Sequence, residues 1–276
     1  MMKSEEIKGA DLTVNIKGIN ICYDDFGSSE IPIIFIHGFP FSKSSWNAQT
    51  QFLKNYFRVI AYDIRGFGNS ESGGEKFSID LFADDLIEFM NILKIRKAIV
   101  CGLSMGGYIL LNAISRYPDR FKAIILSDTQ CVADTEEGKA KRLQTIAELE
   151  DGGIMNFAEG FTKAVFTEAS VKTKQEMVAQ ILNTILSTKL TSLSQTLLAL
   201  AQRDETCTTL TRIKIPALIL CGEEDVVTKP AQSEALHKGI ENSEFHLIPE
   251  AGHMSHLEQA EIFNQHIQGF ISGAQN

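Results

Sequence analysis

The stretch Gly102-Leu103-Ser104-Met105-Gly106-Gly107 follows an apolar run and precedes residues with a helical period. It fits G-x-S-x-G in the strand-then-helix context of a nucleophile elbow. A serine forced into a sharp strand-to-helix turn sits in strained backbone, so small neighbours are needed to let the turn close. Gly102 and Gly106 supply that room. The helix N-terminus beneath would add positive potential where an oxyanion develops. The chemistry implied is attack by the Ser104 hydroxyl on an acyl carbon, the alternative being an ordinary glycine-rich turn. A serine hydroxyl is a poor nucleophile at neutral pH, so it needs a nearby base, and the base needs an orienting group.

Among six histidines, His253 is the base the sequence favours. It lies in Pro249-Glu250-Ala251-Gly252-His253-Met254, between the last strand-like run and the last helical one. That is a loop at the C-terminal edge of a parallel sheet, where open α/β folds place their sites. His256 is the rival base. Asp225, in Gly222-Glu223-Glu224-Asp225, is the orienting acid, with Glu223, Glu224 and Asp128 as open alternatives. The order Ser104, Asp225, His253 is serine, acid, histidine. An oxyanion hole needs two backbone N–H groups aimed at one point. Met105 offers one and Phe39, in His37-Gly38-Phe39-Pro40, the other; Pro40 has no N–H to give. His37 is read as holding that loop.

These residues need a scaffold that brings distant loops together. Residues 12–16 and 19–24 read as a hairpin around Lys17-Gly18. Short apolar runs at 31–37, 57–63, 98–102 and 123–127 alternate with helical stretches at 79–93 and 105–116. That alternation, with continuously apolar strands, implies a mostly parallel sheet covered on both faces. From about residue 129 to 210 strand-like text vanishes, and helices are expected at 137–150, 154–166, 172–187 and 190–204. Alternation returns with strands at 217–221 and 244–248 and helices at 230–239 and 257–272.

The net charge of −9 and the absence of any Lys/Arg run argue against nucleic-acid or anionic-membrane binding. No segment approaches the roughly 18 apolar residues of a membrane helix. Residues 1–12 lack the roughly 7–15-residue apolar stretch of a signal peptide, so a cytoplasmic location is expected. Five cysteines lack zinc spacing, no metal site is expected, and the odd number argues against a disulfide framework. Cys22, Cys101 and Cys221 lie in strand-like text and read as buried thiols.

H-G-F-P at 37–40, D-x-R-G-x-G-x-S at 63–70, G-L-S-M-G-G at 102–107, G-E-E-D at 222–225 and A-G-H at 251–253 together resemble the α/β-hydrolase superfamily, in its serine-nucleophile branch. Within it the chain is similar to carboxylesterases, 3-oxoadipate enol-lactonase-like hydrolases and perhydrolase-type esterases. The resemblance implies an α/β fold with an eight-stranded, mostly parallel sheet. It implies a core of residues 1–130 and 209–276 and an inserted helical cap at 131–208. Relatives with Asp at the nucleophile position work through an alkyl-enzyme; Ser104 favours an acyl-enzyme instead.

The expected reaction is hydrolysis of a small carboxylic ester or lactone, with no cofactor. The small-molecule substrate is the expected partner, and a homodimer is compatible with the reading. Phe39, Trp46, Phe157, Phe161 and Phe166 are candidate pocket residues, although the cap aromatics would equally serve as the cap's own core. Arg142 and Lys163 leave open a clamp for an anionic substrate. Carbon–carbon bond hydrolysis, ligand sensing on a hydrolase scaffold and transfer to an alcohol are the alternatives. Pro40 matches a proline of perhydrolase-type relatives, which leaves room for peracid formation.

Overall fold

Lys17 and Gly18 both adopt left-handed backbone, φ 47° and 90°, and turn strand β1 (Gly9–Ile16) tightly into β2 (Ile19–Phe26). This hairpin forms one edge of an eight-stranded sheet ordered β1-β2-β4-β3-β5-β6-β7-β8. The remaining strands are β3 (Ile33–Ile36), β4 (Val59–Tyr62), β5 (Ala98–Leu103), β6 (Phe121–Ser127), β7 (Ala217–Gly222) and β8 (Ser243–Ile248). Pairing is antiparallel from β1 through β4 by way of β2, and parallel from β4 onward. The computed structural model describes residues 8–275; the polar stretch at 1–12 therefore lies outside it up to residue 7.

β3, β4, β5 and β7 are buried at every position, as strands covered on both faces must be. Successive side chains of these strands, and of β6 from Ala123 onward, alternate between two cores. Ile34, Val100, Ile124 and Ile219 enter a core with Phe82, Leu86 and Met90 of α2 (Ile79–Ile92) and Ile109 of α3 (Met105–Arg116). Phe35, Ile99, Ile125 and Leu218 enter a second core with Leu53 of α1 (Asn47–Leu53) and with Phe263 and Ile267 of α11 (Ala260–Gln275). Each such fully buried side chain contributes roughly 1.5–3 kcal/mol.

Between β6 and β7 run α4 (Glu136–Glu150), α5 (Ile154–Val165), α6 (Glu168–Thr173), α7 (Gln175–Ser187) and α8 (Leu190–Gln202). Thr135 and Thr167 cap α4 and α6 by accepting from Gly138 N at 3.1 Å and Ser170 N at 3.1 Å. The single helix expected at 172–187 is two, broken at Lys174 (φ −113°, ψ 46°), whose ammonium reaches back to the Glu258 carbonyl. After β7 comes α9 (Pro230–Gly239). The helix expected at 257–272 is likewise split, by Gln259, into α10 (Ser255–Glu258) and α11. α1 went unread because its buried positions, Gln49, Thr50 and Leu53, are mostly polar.

The reading against disulfides needs correction. Cys131 and Cys207 are bonded, with Cα atoms 4.9 Å apart and a separation of 76 positions in the chain. An odd cysteine count excludes complete pairing, not a single pair. The bond closes the neck of the helical insertion, where Thr206 N also donates to Cys131 O at 2.8 Å. Cys22, Cys101 and Cys221 are buried free thiols. Among the described residues, no helix is long and apolar enough to cross a membrane.

Candidate active site

Ser104 stands between β5 and α3 with φ 51° and ψ −113°, left-handed backbone in a residue with a side chain. The turn that imposes this conformation is too tight for any Cβ beside it. A Cβ on Gly102 would lie 2.4 Å from Gly106 O, and one on Gly106 would lie 2.4 Å from Ile36 O. The serine backbone is fixed on every side. Its N–H donates to Ser127 O at 2.9 Å, and its carbonyl accepts from Gly107 N at 2.9 Å and Thr129 Oγ1 at 2.7 Å. Met105 is the first residue of α3, so its N–H has no acceptor within the helix.

The loop after β3 lies against Ser104. A Cβ on Gly38 would approach Ser104 Cβ to 3.2 Å, which places the next residue, Phe39, beside the serine. His37 holds this loop. Its Nε2 accepts from Ile64 N at 3.0 Å, so Nδ1 carries the hydrogen and donates to Gly38 O at 2.8 Å. Burial, only partly offset by that bond, pushes His37 down to about 4. It is neutral and occupied, not a base.

Asp225 sits in the turn after β7 and gathers several donors. Oδ1 accepts from Val227 N at 2.7 Å and Thr228 N at 3.0 Å. Oδ2 accepts from Thr228 Oγ1 at 2.8 Å and from His253 Nδ1 at 2.8 Å. Burial works to raise this carboxyl, but the charge and hydrogen bond of His253, together with Thr228, hold it below the usual carboxylate value. His253 is pulled the opposite way. Burial favours the neutral ring, yet Asp225 first, then Asp128 and Glu258, raise it above the usual histidine value. With Nδ1 committed to Asp225, Nε2 is the nitrogen left for a hydroxyl proton.

The rival base and the two glutamates are not bonded to this pair, whereas Asp128 lies close by. His256 is buried, its ring 4.4 Å from that of Trp46, and burial followed by the nearby His253 pushes it down to about 3. Glu223 and Glu224 are exposed. Asp128 is fully buried, and its oxygen lies within 4.8 Å of ligand atoms of Asp225 and Cys221.

The expected pocket residues separate. Phe39 packs its ring 6.2 Å from Phe157 and 6.0 Å from Phe161, both on α5, and 6.1 Å from Phe67. Trp46 does not join them, which corrects its assignment to the pocket. It is 0% exposed, 4.7 Å from Phe35 and 6.2 Å from Phe263, part of the core between the sheet and α11. Phe166 is buried in that same second cluster, at the end of α5. Arg142 is bound to Asp134, which Arg203 also engages at 2.7 Å, and Lys163 is exposed.

Several residues here went unread in the sequence. Thr228 touches both the acid and the histidine, at 2.8 Å and 3.2 Å. An acid followed by N–H donors two and three residues on is a local turn signal that could have found it. Glu258 accepts from Gly252 N at 2.7 Å and from Thr167 N and Oγ1 at 3.0 and 2.9 Å, joining the histidine loop to the helical insertion. No spacing in the sequence announces that pairing.

A family profile described as alpha/beta hydrolase fold matches residues 31–260. The structure superposes on a thermophilic esterase from Thermogutta terrifontis with a TM-score of 0.90 and 31% identity, covering 96% of this chain and 97% of that one. In sequence the chain is 28% identical to 3-oxoadipate enol-lactonase 2 of Acinetobacter baylyi over 94% of this chain and 96% of that protein. It is 27% identical to a bifunctional esterase/perhydrolase of Acinetobacter calcoaceticus over 92% of this chain and 96% of that protein. With the profile spanning most of its length, this chain belongs to the alpha/beta hydrolase fold family.

Proposed function

We propose that the chain hydrolyses a carboxylic ester or lactone through an acyl-enzyme on Ser104. The observation that carries this reading is the serine held in left-handed backbone at the head of α3, at the same sheet edge as the bonded Asp225–His253 pair. Similarity to an esterase, an enol-lactonase and an esterase/perhydrolase supports it.

His253 Nε2 takes the Ser104 proton as Oγ attacks the carbonyl carbon. The tetrahedral oxyanion is received by the N–H groups of Phe39 and Met105, each contributing about 3–4 kcal/mol of transition-state stabilisation. His253 then gives its proton to the leaving alkoxide, and water repeats the cycle to release the acid. Asp225 fixes the ring and stabilises the imidazolium. Each step uses only groups of the chain, the substrate and water.

Phe39, Phe157 and Phe161 form an aromatic cluster between the loop after β3 and α5, which suits an apolar acyl or alcohol group. With Arg142 and Arg203 both engaged by Asp134, the two arginines offer no ready clamp for a strongly anionic substrate. Similarity to the esterase/perhydrolase favours one second reading, in which hydrogen peroxide replaces water and releases a peracid from the acyl-enzyme.

A p-nitrophenyl ester series from acetate to decanoate, with Ser104→Ala as control, tests the proposal. Turnover in the wild type that vanishes in the variant supports it. Wild-type turnover retained by the variant would overturn the assignment of the nucleophile. A wild type that is inert toward every ester, yet covalently labelled at Ser104 by a fluorophosphonate, would sink the ester reading and leave the triad standing.

A further inference from the structure

The short run Ser127-Asp128-Thr129 at the end of β6 touches all three segments that bear the triad. Thr129 Oγ1 donates to the Ser104 carbonyl at 2.7 Å, and Ser104 N donates to Ser127 O at 2.9 Å. Asp128 Oδ1 accepts from Gly222 N at 2.8 Å, three residues before Asp225. Asp128 Oδ2 accepts from Ser255 Oγ at 2.5 Å, two residues after His253, and from Ser127 Oγ at 2.7 Å. Asp128 itself adopts φ 45°, a conformation that aspartate tolerates better than most residues.

A carboxyl is an expensive choice for such a joint. It is 0% exposed and shares its surroundings with a second carboxylate, Asp225. Burial and the charge of Asp225 both push Asp128 up, and the His253 charge and the Ser255 and Gly222 bonds pull against them. An asparagine would fill the same space and, with the serine hydroxyls rotated, keep the same three contacts. What the aspartate adds is charge, and the imidazole of His253 is the group in reach that gains from it, since Asp128 raises its hold on a proton.

We propose that Asp128 is a positioning residue for the acyl transfer, which clamps the turns bearing Asp225 and His253 and sets a second negative charge beside the imidazole. The inference rests on the triad reading above and goes beyond it, since the reaction as written needs only one acid. The other titratable groups facing Asp128 are Asp225, His253 and the thiols of Cys101 and Cys221; burial raises both thiols, so they stay neutral, and Glu258 faces His253 from α10.

Burial and the charge of Asp225 lift Asp128 to about 7, so its negative charge acts on His253 from neutral pH upward. His253 must be neutral to accept the serine proton, so activity rises through its titration. Removing a neighbouring negative charge lowers the affinity of the ring for its proton and moves that acid limb to lower pH. Asp225, Asp128 and His253 act on one another's charge, so the limb belongs to the set rather than to one group.

The test is the rate of covalent labelling of Ser104 by a fluorophosphonate, and kcat/KM for p-nitrophenyl acetate, both against pH, in wild type and Asp128→Asn. The expected result is a plateau lowered about tenfold, far short of the about 10^4-fold cost of losing the orienting acid. The acid limb should move down by roughly 0.5–1 pH unit. A variant that only melts earlier, with plateau and limb unmoved, reduces Asp128 to a structural residue and overturns the proposal. If Asp128→Asn does not fold, Ser255→Ala removes one donor that stabilises the carboxylate and should move the limb the same way by less; an unmoved limb there overturns it equally. A wild type that is not labelled at all sinks the triad reading itself, whereas labelling with an unmoved limb sinks this inference alone.

Discussion

The sheet edge and the helical insertion above it are built on opposite terms. At the edge, Ser104, Asp225, His253 and Asp128 are buried and their backbone and side-chain partners lie at hydrogen-bond distance, drawn from four different strands' ends. In the insertion, the buried hydroxyls of Thr162 on α5 and Ser192 and Thr196 on α8 make no hydrogen bond within the protein among the described residues. Leu143 and Met155 are half exposed there, at 53% and 50%. The insertion is fastened to the rest by the Cys131–Cys207 bond, by Glu258 on Thr167, Lys174 on Glu258 O and Met254 N on Val165 O, by Arg203 over Tyr108 at 4.5 Å, and by Leu193, Leu197 and Leu200 of α8 buried in the first core. The groups at the edge are held by hydrogen bonds that folding itself makes, whereas these three buried hydroxyls of the insertion make none within the described residues. Chemistry is therefore legible at the edge and specificity is not.

The comparison breaks first at the nucleophile. Ser104→Ala should lower kcat by about 10^6-fold while leaving the melting temperature nearly unchanged, since only one hydroxyl is lost. Ester turnover and thermal denaturation, measured together, check both halves. Asp225→Asn should cost about 10^4-fold in kcat with KM little changed, because the amide favours the wrong tautomer of His253. A loss of only a few-fold would mean that another carboxyl already orients the ring.

How much the sequence discloses follows the same division. The strands and the candidate site are readable because each rests on a local signal: apolar runs of strand length, Gly102 and Gly106 flanking Ser104, an acid and a histidine after successive strands. The bonds that fix them are not local. Ser255 to Asp128 spans 127 residues and Glu258 to Thr167 spans 91, and no periodicity encodes such pairs. Trp46 was misplaced because an aromatic near the oxyanion loop in sequence sits on the other side of the sheet in space. The break at Lys174 was invisible because the apolar period runs through it, and a tertiary contact with Glu258 decides it. The disulfide lay beyond a count of cysteines, since it depends on the fold bringing the two ends of the insertion together.

In the insertion the effects should be smaller and selective. Phe161→Ala removes a ring that touches both Phe39 and Phe41, at 6.0 Å each. Loss of that apolar contact should lower kcat/KM for long acyl chains by about 10–100-fold, mostly through KM, and acetate turnover by much less. A uniform loss in kcat across the series would show that Phe161 supports the oxyanion loop and not the substrate.

Cys207→Ser should disturb turnover least and stability most. The bond closes a long loop, so its removal should cost about 2–4 kcal/mol of unfolding free energy, chiefly by freeing the unfolded chain. Ser104, Asp225 and His253 are fastened through β6, β7 and the loop after β8, none of which includes Cys207, so kcat for p-nitrophenyl acetate should stay within a few-fold of wild type. Wild type treated with a dithiol should reproduce the variant, giving two thiols at the neck and the same lowered melting temperature. Thermal denaturation and acetate turnover with and without the dithiol read this directly. If kcat instead collapsed toward the level of Asp225→Asn, the neck would be part of the catalytic scaffold, and the division between a self-sufficient edge and a tethered insertion would fail.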